Sequence, residues 1–396
     1  MRFSFGFGIL LLSLSTGCDD GSGPARPDAG SDAAVAVDAG DSDGGSPPDG
    51  GGACGALAVT EVLSGLSDPI LVTAPDGDDR LFIVEIGGRI QIARGGSVTG
   101  TFLDLSGSVV LRGDHGLNGL AFHPSDGRVF VSYATGATTL RIASFTLGDA
   151  DTVDPTSEQT ILEVDYPEAA HTGGHLAFGP DGYLYIGIGD GEARSGMALA
   201  QDLTSLNGKI LRIDVDGAAP YAIPGDNPFT GTATMRDEIY AYGFRLPYRF
   251  TFDGTDLIVG EVGNDRFEEV DLVTSGGNYG WPVVEGNMHC NSPASGCDLS
   301  SEPPIHEFPH SGGHCAMMGG HVYRGSALPS CYAGRYFYAD YCSGQVTSFR
   351  VEGGAAVDVQ DGPSAPGMVV SWGRGGDGEL YLLGMDGSVY QLTAAP

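Results

Sequence analysis

The chain has 396 residues and a formal net charge of −32, with 65 glycines, 23 prolines and a single lysine, Lys209. This length exceeds the usual size of one domain, so we expect either two domains or one large repeat architecture. Many glycines together with recurrent Val, Ile, Tyr and Thr are typical of short strands joined by turns, which predicts an all-β protein. The strong negative charge argues against nucleic acid as a partner.

The first residues have the pattern of an export signal. Arg2 precedes an apolar run over residues 3–14, and three small residues, 15–17, stand directly before Cys18. The run is too short to cross a bilayer as a permanent helix. Residues 1–18 resemble a bacterial lipoprotein signal peptide with Cys18 as the lipidated residue, and a plain secretory signal is the alternative. We therefore expect an exported protein, either lipid-anchored to a cell-envelope membrane, in the periplasm or at the cell surface, or secreted.

A polar tether is predicted to follow. Residues 19–53 are rich in Asp, Gly, Ala, Ser and Pro and contain no aromatic side chain. Such a segment cannot bury enough apolar surface to offset its chain entropy, so we expect a disordered acidic linker. Residues 1–53 hold 2 basic and 8 acidic side chains, which leaves a net charge of −26 on residues 54–396.

The cysteine count predicts disulfides. With Cys18 set aside, six cysteines remain, an even number that indicates three disulfides in an oxidising compartment. They are Cys54, Cys290, Cys297, Cys315, Cys331 and Cys342. Proximity favours the pairs Cys290–Cys297 and Cys331–Cys342, which leaves Cys54 to pair with Cys315. A zinc site is less favoured, because no two of these cysteines have the short spacing of a zinc knuckle.

A turn followed by an alternating apolar strand recurs through residues 54–396. Six copies begin at Pro75, Pro124, Pro180, Phe252, Ala333 and Gly375. Repeats of this length, with several strands each, predict a six-bladed β-propeller. Two longer spacers, residues 191–247 and 276–330, are expected to lie over one face, where functional loops are common.

One stretch combines a histidine, a strand and an acidic loop. Residues 171–191 read HTGGHLAFGPDGYLYIGIGDG. His171 has the side chain whose ordinary pKa is nearest neutrality, and Asp190 follows after one strand, so the two are a candidate proton-transfer pair. Taken alone, both residues are better interpreted as ordinary loop residues, and only the surrounding pattern favours the pair.

Six ordered motifs give this pair a context. They are the stretch at residues 171–191, LNGKILRID, DNPF, EIYAYGFRLPYRFTFD, GEVGNDRFEEVDLVTSGGNYGWPVVEG and GGHVYRG. Together they resemble the soluble glucose/sorbosone dehydrogenase family. That family includes quinoprotein aldose sugar dehydrogenases that use pyrroloquinoline quinone and calcium, and relatives similar to hedgehog-interacting proteins. The resemblance implies a six-bladed propeller, a small-molecule sugar substrate, both cofactors and an external electron acceptor.

The resemblance also implies residue roles. His171 is expected to remove the proton of the anomeric hydroxyl, and Asp190 to orient it. Arg245, in GFRLP, is expected to face the quinone, where a fixed cation stabilises the charge of the reduced cofactor. Further contacts to the cofactor are expected from three residues. They are Asp114 in GDHGLNG, Arg324 and Arg374.

A calcium site is expected in the loop at residues 260–269. There the family uses backbone carbonyls, which correspond to those of Gly263 and Asn264, and calcium prefers six to eight oxygen ligands. Glu261 and Glu268 are the carboxylates expected to complete the site. A solvated acidic edge is the alternative interpretation of the same residues.

Two departures from the family pattern lead to an alternative function. Leu246 stands where the enzymes have an asparagine, and the segment around Val370 lacks a pair of arginines expected there. The alternative is a non-catalytic, calcium-stabilised binding propeller without quinone, and a metal-dependent lactone or ester hydrolase on the same architecture is a third. Trp281, in NYGWP, is open to two interpretations, a sugar-stacking residue or a buried core residue.

Overall fold

Strands account for nearly all regular structure in the protein. The computed structural model describes residues 54–396 apart from 150, 193–196, 288 and 292–299. The predicted signal peptide, Cys18 and linker lie outside these residues. Three short 3-10 helices, Pro155–Ser157, Met197–Ala200 and Ser330–Tyr332, are the helical elements of the described part. The all-β prediction is therefore confirmed, and no helix of the described residues has the length and apolar character to cross a membrane.

Twenty-six strands are numbered here in chain order. They are β1 Leu57–Leu63, β2 Pro69–Thr73, β3 Leu81–Glu85, β4 Arg89–Arg94, β5 Ser97–Asp104, β6 Leu117–Phe122, β7 Arg128–Ala134, β8 Thr139–Thr146, β9 Gln159–Asp165, β10 Gly173–Phe178, β11 Leu184–Ile188, β12 Lys209–Ile213, β13 Ile239–Tyr242, β14 Pro247–Asp253, β15 Asp256–Glu261, β16 Phe267–Val273, β17 Val284–Glu285, β18 His289–Cys290, β19 His306–Pro309, β20 Met317–Val322, β21 Tyr336–Asp340, β22 Gln345–Glu352, β23 Ala355–Ser364, β24 Val369–Arg374, β25 Leu380–Gly384 and β26 Val389–Ala394.

These strands form antiparallel groups of four that follow one another around a ring. The groups are β2–β5, β6–β9, β10–β13, β14–β16 with β19, β20–β23, and β24–β26 with β1. The first strands of neighbouring groups contact each other all the way round, β2 with β6, β6 with β10, and so on to β24 with β2. The last group is completed by the N-terminal strand, since β1 pairs with β26. A β-propeller has this arrangement of sheets.

The sequence repeats mark the same turn in every group. Each repeat joins the first strand of its group to the second, as in the hairpins of β10 with β11 and β14 with β15. The turn glycines all have φ between 61° and 84°, a region that side chains with a Cβ rarely adopt. They are Gly77, Gly127, Gly182, Gly254, Gly334 and Gly378. A repeated backbone requirement therefore accounts for the repeated Asp-Gly and Gly turns.

The hydrophobic core lies between the groups rather than at one centre. Leu176, Ile186 and Leu211 of the third group pack with Phe130 and Ile142 of the second. Similar clusters join the third group to the fourth and the fourth to the fifth. Each sheet is therefore held by its two neighbours, as expected for a closed ring.

The direction of the first strands defines two ends of the ring. We call the end where β10 and β14 begin, at Gly173 and Pro247, the upper end. The end where they finish, at Phe178 and Asp253, is the lower end. Loops that precede a first strand or follow a second strand therefore share the upper end.

Two predicted disulfide pairs are wrong. The structure pairs Cys54 with Cys331 and Cys315 with Cys342, at Cα–Cα distances of 6.1 and 5.7 Å. Cys331 and Cys342 are close in sequence, but β21 runs between them from the lower to the upper end. Five strand residues span about 16 Å, well beyond the Cα separation that a disulfide allows. Cys290 is disulfide-bonded, and its predicted partner, Cys297, lies outside the described residues.

The two long spacers are also more regular than expected. Residues 191–247 contain β12 and β13, the outer strands of the third group. Residues 276–330 contain the short strands β17 and β18, the outer strand β19 of the fourth group and β20, the first strand of the fifth. The spacers therefore contribute strands to the propeller as well as loops, because apolar strands such as KILRI lack the turn pattern used to find the repeats.

Candidate functional site

Three predicted residues lie together at the upper end. His171 stands two residues before β10, Asp190 two residues after β11, and Arg245 two residues before β14. The backbone joins two of these loops, because the Asp190 N–H donates to the Arg245 carbonyl at 2.8 Å. The loops of two neighbouring groups therefore present these side chains to one region.

His171 and Asp190 form a hydrogen-bonded pair. The distance from His171 Nδ1 to Asp190 Oδ1 is 2.8 Å, and the two side chains are 15% and 6% exposed. His171 has φ +50°, a conformation that non-glycine residues adopt rarely and mainly where the surroundings impose it. Because Asp190 is a carboxylate acceptor, Nδ1 carries the proton and Nε2 keeps the lone pair.

The carboxylate of Asp190 is held in place by two further donors. Trp281 donates its indole N–H to Oδ2 at 2.8 Å, and the Glu192 backbone N–H donates to Oδ1 at 2.9 Å. Burial acts to raise the pKa of Asp190, but the hydrogen bond and charge of His171, with smaller contributions from Glu192 and Arg245, bring this pKa below its ordinary value. Asp190 is thus kept ionised in a buried position beside the imidazole.

Trp281 is the residue whose role the sequence left open. Its side chain is buried, 8% exposed, and its indole N–H is used by Asp190. This contact supports the buried interpretation over a sugar-stacking one. A buried tryptophan needs an acceptor for its N–H, and that requirement was the signal available in the sequence.

Arg245 lies over the same tryptophan. Its guanidinium carbon is 5.7 Å from the Trp281 ring centroid, and Nη1 donates to the Val262 carbonyl at 3.2 Å. The Arg245 backbone N–H donates to Glu261 Oε1, which also accepts from the Leu246 N–H at 3.1 Å. Glu261 therefore fixes the loop that presents the arginine.

Asp114 supports the histidine loop. Its carboxylate accepts from the Thr172 backbone N–H at 3.0 Å and from Thr172 Oγ1 at 3.2 Å. Thr172 is fully buried and directly follows His171. The contacts of Asp114 therefore assign it a positioning role, whereas the sequence predicted a contact to a cofactor.

Arg324 and Arg374 do not join this group, which corrects their predicted placement. Arg324 stands two residues after β20 and Arg374 ends β24, so both lie at the lower end. Each is paired with a carboxylate there, Arg324 with Asp253 and Arg374 with Asp76. The length of a first strand separates them from the His171 loop.

The predicted calcium loop contains one carboxylate that is already occupied. Glu268 Oε2 accepts from the backbone N–H groups of Gly263 and Met317 at 3.2 and 2.6 Å, and Oε1 pairs with His310. These bonds place Glu268 against the neighbouring fifth group. Its predicted role as a metal ligand is therefore not supported by its contacts.

Other carboxylates of this region have buried oxygens without a hydrogen-bond partner. Glu261 Oε2, both oxygens of Asp271 and Glu285 Oε2 have no hydrogen-bond partner among the described residues. Glu261 lies opposite Glu269 across β15 and β16, and Asp271 follows two residues later on the same face. Burial, reinforced by the neighbouring carboxylates, raises the pKa values of Glu261 and Asp271 well above their ordinary values, and burial raises the pKa of Glu269 to about 8.

Glu285 organises the loop beside these carboxylates and was not identified from the sequence. Its Oε1 accepts from four successive backbone N–H groups, those of residues 264–267, at 2.8 to 3.2 Å. A Cβ on Gly263 would lie 1.7 Å from the Phe267 carbonyl oxygen, so the loop requires glycine there. Buried carboxylates without a counterion are costly, and a bound divalent cation removes that cost.

A family model matches most of this chain. The match is to Glucose / Sorbosone dehydrogenase and covers residues 67–391. The chain belongs to the glucose/sorbosone dehydrogenase family. The resemblance inferred from the six motifs is therefore confirmed.

Relatives and a solved structure of the glucose/sorbosone dehydrogenase family agree with the fold. HIPL1 protein of Arabidopsis thaliana is 30% identical, covering 82% of this chain and 61% of the relative. Hedgehog-interacting protein of Mus musculus is 33% identical over 72% of this chain and 42% of its own length. The chain thus spans roughly half of these relatives. A putative oxidoreductase (glucose dehydrogenase) from Thermus thermophilus is 29% identical, with a TM-score of 0.69, over 85% of this chain and 99% of that structure.

The wall beside Arg245 in this family member is apolar. Leu246, Val262 and Val370 belong to one buried cluster, and Tyr248 packs against it. The Tyr248 hydroxyl donates to the Val370 carbonyl at 2.8 Å, which closes the wall. Pyrroloquinoline quinone carries three carboxylates, and the wall of Leu246, Val262 and Val370 offers them no cation. The residues fit the proton-transfer chemistry of the family, and they do not fit a tricarboxylate fully.

Proposed function

We propose that this chain is an oxidoreductase that oxidises the anomeric hydroxyl of an aldose sugar to the lactone. The observation that carries the proposal is the His171–Asp190 pair, fixed by Trp281 and set beside Arg245. Family membership and the glucose dehydrogenase likeness of a 29% identical structure support the same reaction class.

His171 is the base in this proposal. Its Nε2 lone pair accepts the hydroxyl proton, because Nδ1 is committed to Asp190. The imidazolium that forms lies against a buried carboxylate whose lowered pKa keeps it ionised. General base catalysis of this kind contributes about 10²- to 10⁴-fold to a rate.

The oxidation also requires an acceptor for the hydride, which pyrroloquinoline quinone supplies in the family. In the proposal Arg245 is the cation that faces such an acceptor, and an external electron acceptor reoxidises it. The apolar wall of Leu246, Val262 and Val370 predicts weaker binding of the cofactor carboxylates than a wall with arginines would give.

Calcium is the second cofactor of the proposal. The Gly263 and Asn264 carbonyls, with Glu261, are the proposed ligands from the loop, and the neighbouring Glu269 and Glu285 are further candidates. The unpartnered buried oxygens of Glu261 and Glu285 support a cation at this position. An oxygen-rich, flexible donor set of this kind suits Ca²⁺ better than Mg²⁺.

Export completes the proposal. A leader ending at Cys18 and an acidic linker over residues 19–53 would place the propeller outside the cytoplasm, tethered to a membrane by the lipid or secreted. The two disulfides of the described residues support an oxidising compartment.

A non-catalytic binding propeller is the second candidate. The apolar wall at Leu246 and Val370 favours it, since a protein that binds a partner needs no cations for a cofactor. The likeness to Hedgehog-interacting protein points the same way.

One experiment separates the two candidates. Full-length protein is incubated with Ca²⁺ and pyrroloquinoline quinone, cofactor binding is measured by calorimetric titration, and dye reduction is followed with a panel of aldoses. The oxidoreductase proposal predicts dye reduction that falls about 10²-fold or more in His171→Gln. It predicts that dye reduction is lost in Arg245→Gln and unchanged in Arg89→Gln. Arg89 is an exposed arginine that pairs with Asp104 on another blade. Cofactor binding that is absent, with no dye reduction for any sugar, rejects this function and leaves the binding propeller.

A further inference from the structure

A cavity opens at the lower end of the ring, away from the His171 loop. Its volume is about 320 Å³, within the range of small-ligand pockets. It is lined by residues of five first strands, β2, β6, β10, β14 and β20, together with the last residue of β24. We call it the lower cavity.

The lower cavity has two arginines at its rim. They are Arg324 and Arg374, and their side chains are 53% and 35% exposed. Their carboxylate partners, Asp253 and Asp76, are 29% and 81% exposed. Exposed ion pairs are weak, so Arg374 can exchange the largely exposed Asp76 for another anion. Arg324 contacts both oxygens of the less exposed Asp253, so an anion in the cavity shares this guanidinium with Asp253.

A third arginine adds positive charge behind the cavity. Arg249 is 1% exposed and donates to neutral acceptors, Ser371 Oγ at 2.9 Å and the Tyr248 and Ile70 carbonyls at 2.9 and 2.6 Å. With Arg324, Arg374 and the two aspartates, the local balance is one positive charge. This balance is unusual in a domain that carries −26 overall.

Two histidines on the cavity wall stay neutral in this field. Burial, together with the charge of Arg249, lowers the pKa of His175 well below its ordinary value. Burial, together with the charges of Arg374 and Arg249, lowers the pKa of His321 to about 3. His175 hydrogen-bonds the Phe250 carbonyl at 3.0 Å, and His321 bonds Thr251 Oγ1 at 3.2 Å. The positive charge around the cavity therefore comes from guanidiniums at any moderate pH.

The remaining wall is mixed in polarity. Its apolar part comes from Phe178 and Phe252, which are partly exposed, while the buried Leu120, Leu176 and Phe250 present little surface. A fully hydrated anion such as phosphate gains nothing from the two exposed rings, whereas an apolar body removes them from water. The cavity thus combines a cationic rim with the rings of Phe178 and Phe252.

We propose that the lower cavity binds a small organic carboxylate whose body is apolar or aromatic. The carboxylate lies between the guanidiniums of Arg324 and Arg374, and the body packs against the phenylalanines. This site is separate from the proposed sugar site, because the first strands run between the two ends. It also explains why two arginines that resembled cofactor contacts in the sequence stand together elsewhere in the fold.

The test uses the full chain and benzoate as the probe, measured by calorimetric titration and by ligand-observed NMR. We expect one benzoate per chain, with benzamide, its neutral counterpart, binding at least about tenfold more weakly, since a charge-assisted hydrogen bond contributes about 1.5–3 kcal/mol. Arg374→Gln and Arg324→Gln should each weaken binding about tenfold or more by the same argument. Arg374→Lys should retain part of the affinity, and Arg89→Gln, which removes the same charge elsewhere, should retain all of it.

Several results would overturn the proposal. The first is equal affinity of Arg374→Gln and Arg89→Gln for benzoate. The second is inorganic phosphate that competes for the site as well as benzoate does. The third is loss of benzoate binding in His171→Gln, which would place the probe at the upper end. Circular dichroism of each variant tests whether it is folded. If Arg374→Gln does not fold, the benzoate affinity of Arg374→Lys is compared with that of the wild type instead.

Discussion

Replacing Trp281 with phenylalanine tests the support of the His171–Asp190 pair. The substitution removes the indole N–H that Asp190 Oδ2 accepts at 2.8 Å and keeps an aromatic ring. A hydrogen bond to a charged group contributes about 1.5–3 kcal/mol, and Asp190 is too buried for water to replace the donor. We therefore expect the free energy of unfolding at pH 7 to fall by about 2 kcal/mol through this bond, in addition to the loss of packing.

The chain offers a matched control for the packing loss. Trp372 is also buried, but its Nε1 has no hydrogen-bond partner among the described residues. Trp372→Phe therefore removes a similar volume without breaking such a bond. The difference between the two variants in chemical denaturation isolates the contribution of the indole N–H to Asp190.

The pH dependence of that difference gives a second reading. The pKa of folded Asp190 is lowered, so its ionisation stabilises the fold above the unfolded pKa of about 3.9 and loses this effect as the pH falls through the folded pKa. The excess cost of Trp281→Phe should be complete at pH 7 and shrink below about pH 4. Equal destabilisation by Trp281→Phe and Trp372→Phe at pH 7 would refute the reasoning.

Three further predictions concern the loops around the site. Gly263→Ala should lower the free energy of unfolding by about 3 kcal/mol or more, because the new Cβ would meet the Phe267 carbonyl. In the same denaturation assay Gly87→Ala should have little effect, since nothing lies within 4 Å of a Cβ at that position. Similar effects of the two substitutions would contradict the loop geometry. Ca²⁺ at 100 times its Kd should stabilise chelator-treated protein by about 2.7 kcal/mol in thermal unfolding, and Mg²⁺ by less; an unchanged melting temperature would argue against the cation site. Asp114→Ala should cost about 2 kcal/mol because it leaves the buried Thr172 N–H without an acceptor, whereas Asp126→Ala, at the exposed β6–β7 turn, should cost less.

The propeller architecture was readable from the sequence because one turn recurs in every blade. Gly182 and Gly254 occupy equivalent turns with positive φ, and the strands after them alternate as sheets packed on both faces require. The family resemblance singled out His171, Asp190 and Arg245, and the structure places their loops at the same end of the ring. The local sequence was sufficient to predict the turns, because the role of each turn glycine depends on its own backbone conformation.

Errors arose where two ends of one strand had to be distinguished. The sequence placed Arg324 and Arg374 at the cofactor, yet Arg324 follows the first strand β20 and Arg374 ends the first strand β24, so both emerge at the lower end. The predicted disulfide between Cys331 and Cys342 was wrong for the same reason, since β21 separates the two cysteines. Sequence spacing alone does not say on which side of a strand a residue lies.

Long-range hydrogen bonds were also out of reach. Glu285 caps four N–H groups about twenty residues earlier in the chain, and Trp281 meets Asp190 across 91 positions. Neither contact has a local pattern. The Trp281 contact depends on how the third and fourth groups pack, and the Glu285 contact depends on how β17 packs against the turn between β15 and β16. The requirement of a buried indole for an acceptor narrows the choice, but it does not name the acceptor.

The most direct test of the central claim is the turnover of an aldose by protein loaded with pyrroloquinoline quinone and Ca²⁺, compared between wild type and His171→Gln at equal cofactor occupancy. The account predicts that glucose deuterated at C1 slows dye reduction by the wild type, and that His171→Gln binds the cofactor normally yet turns over about 10²- to 10⁴-fold more slowly. A loaded His171→Gln variant that reduces the dye as fast as the wild type would contradict it.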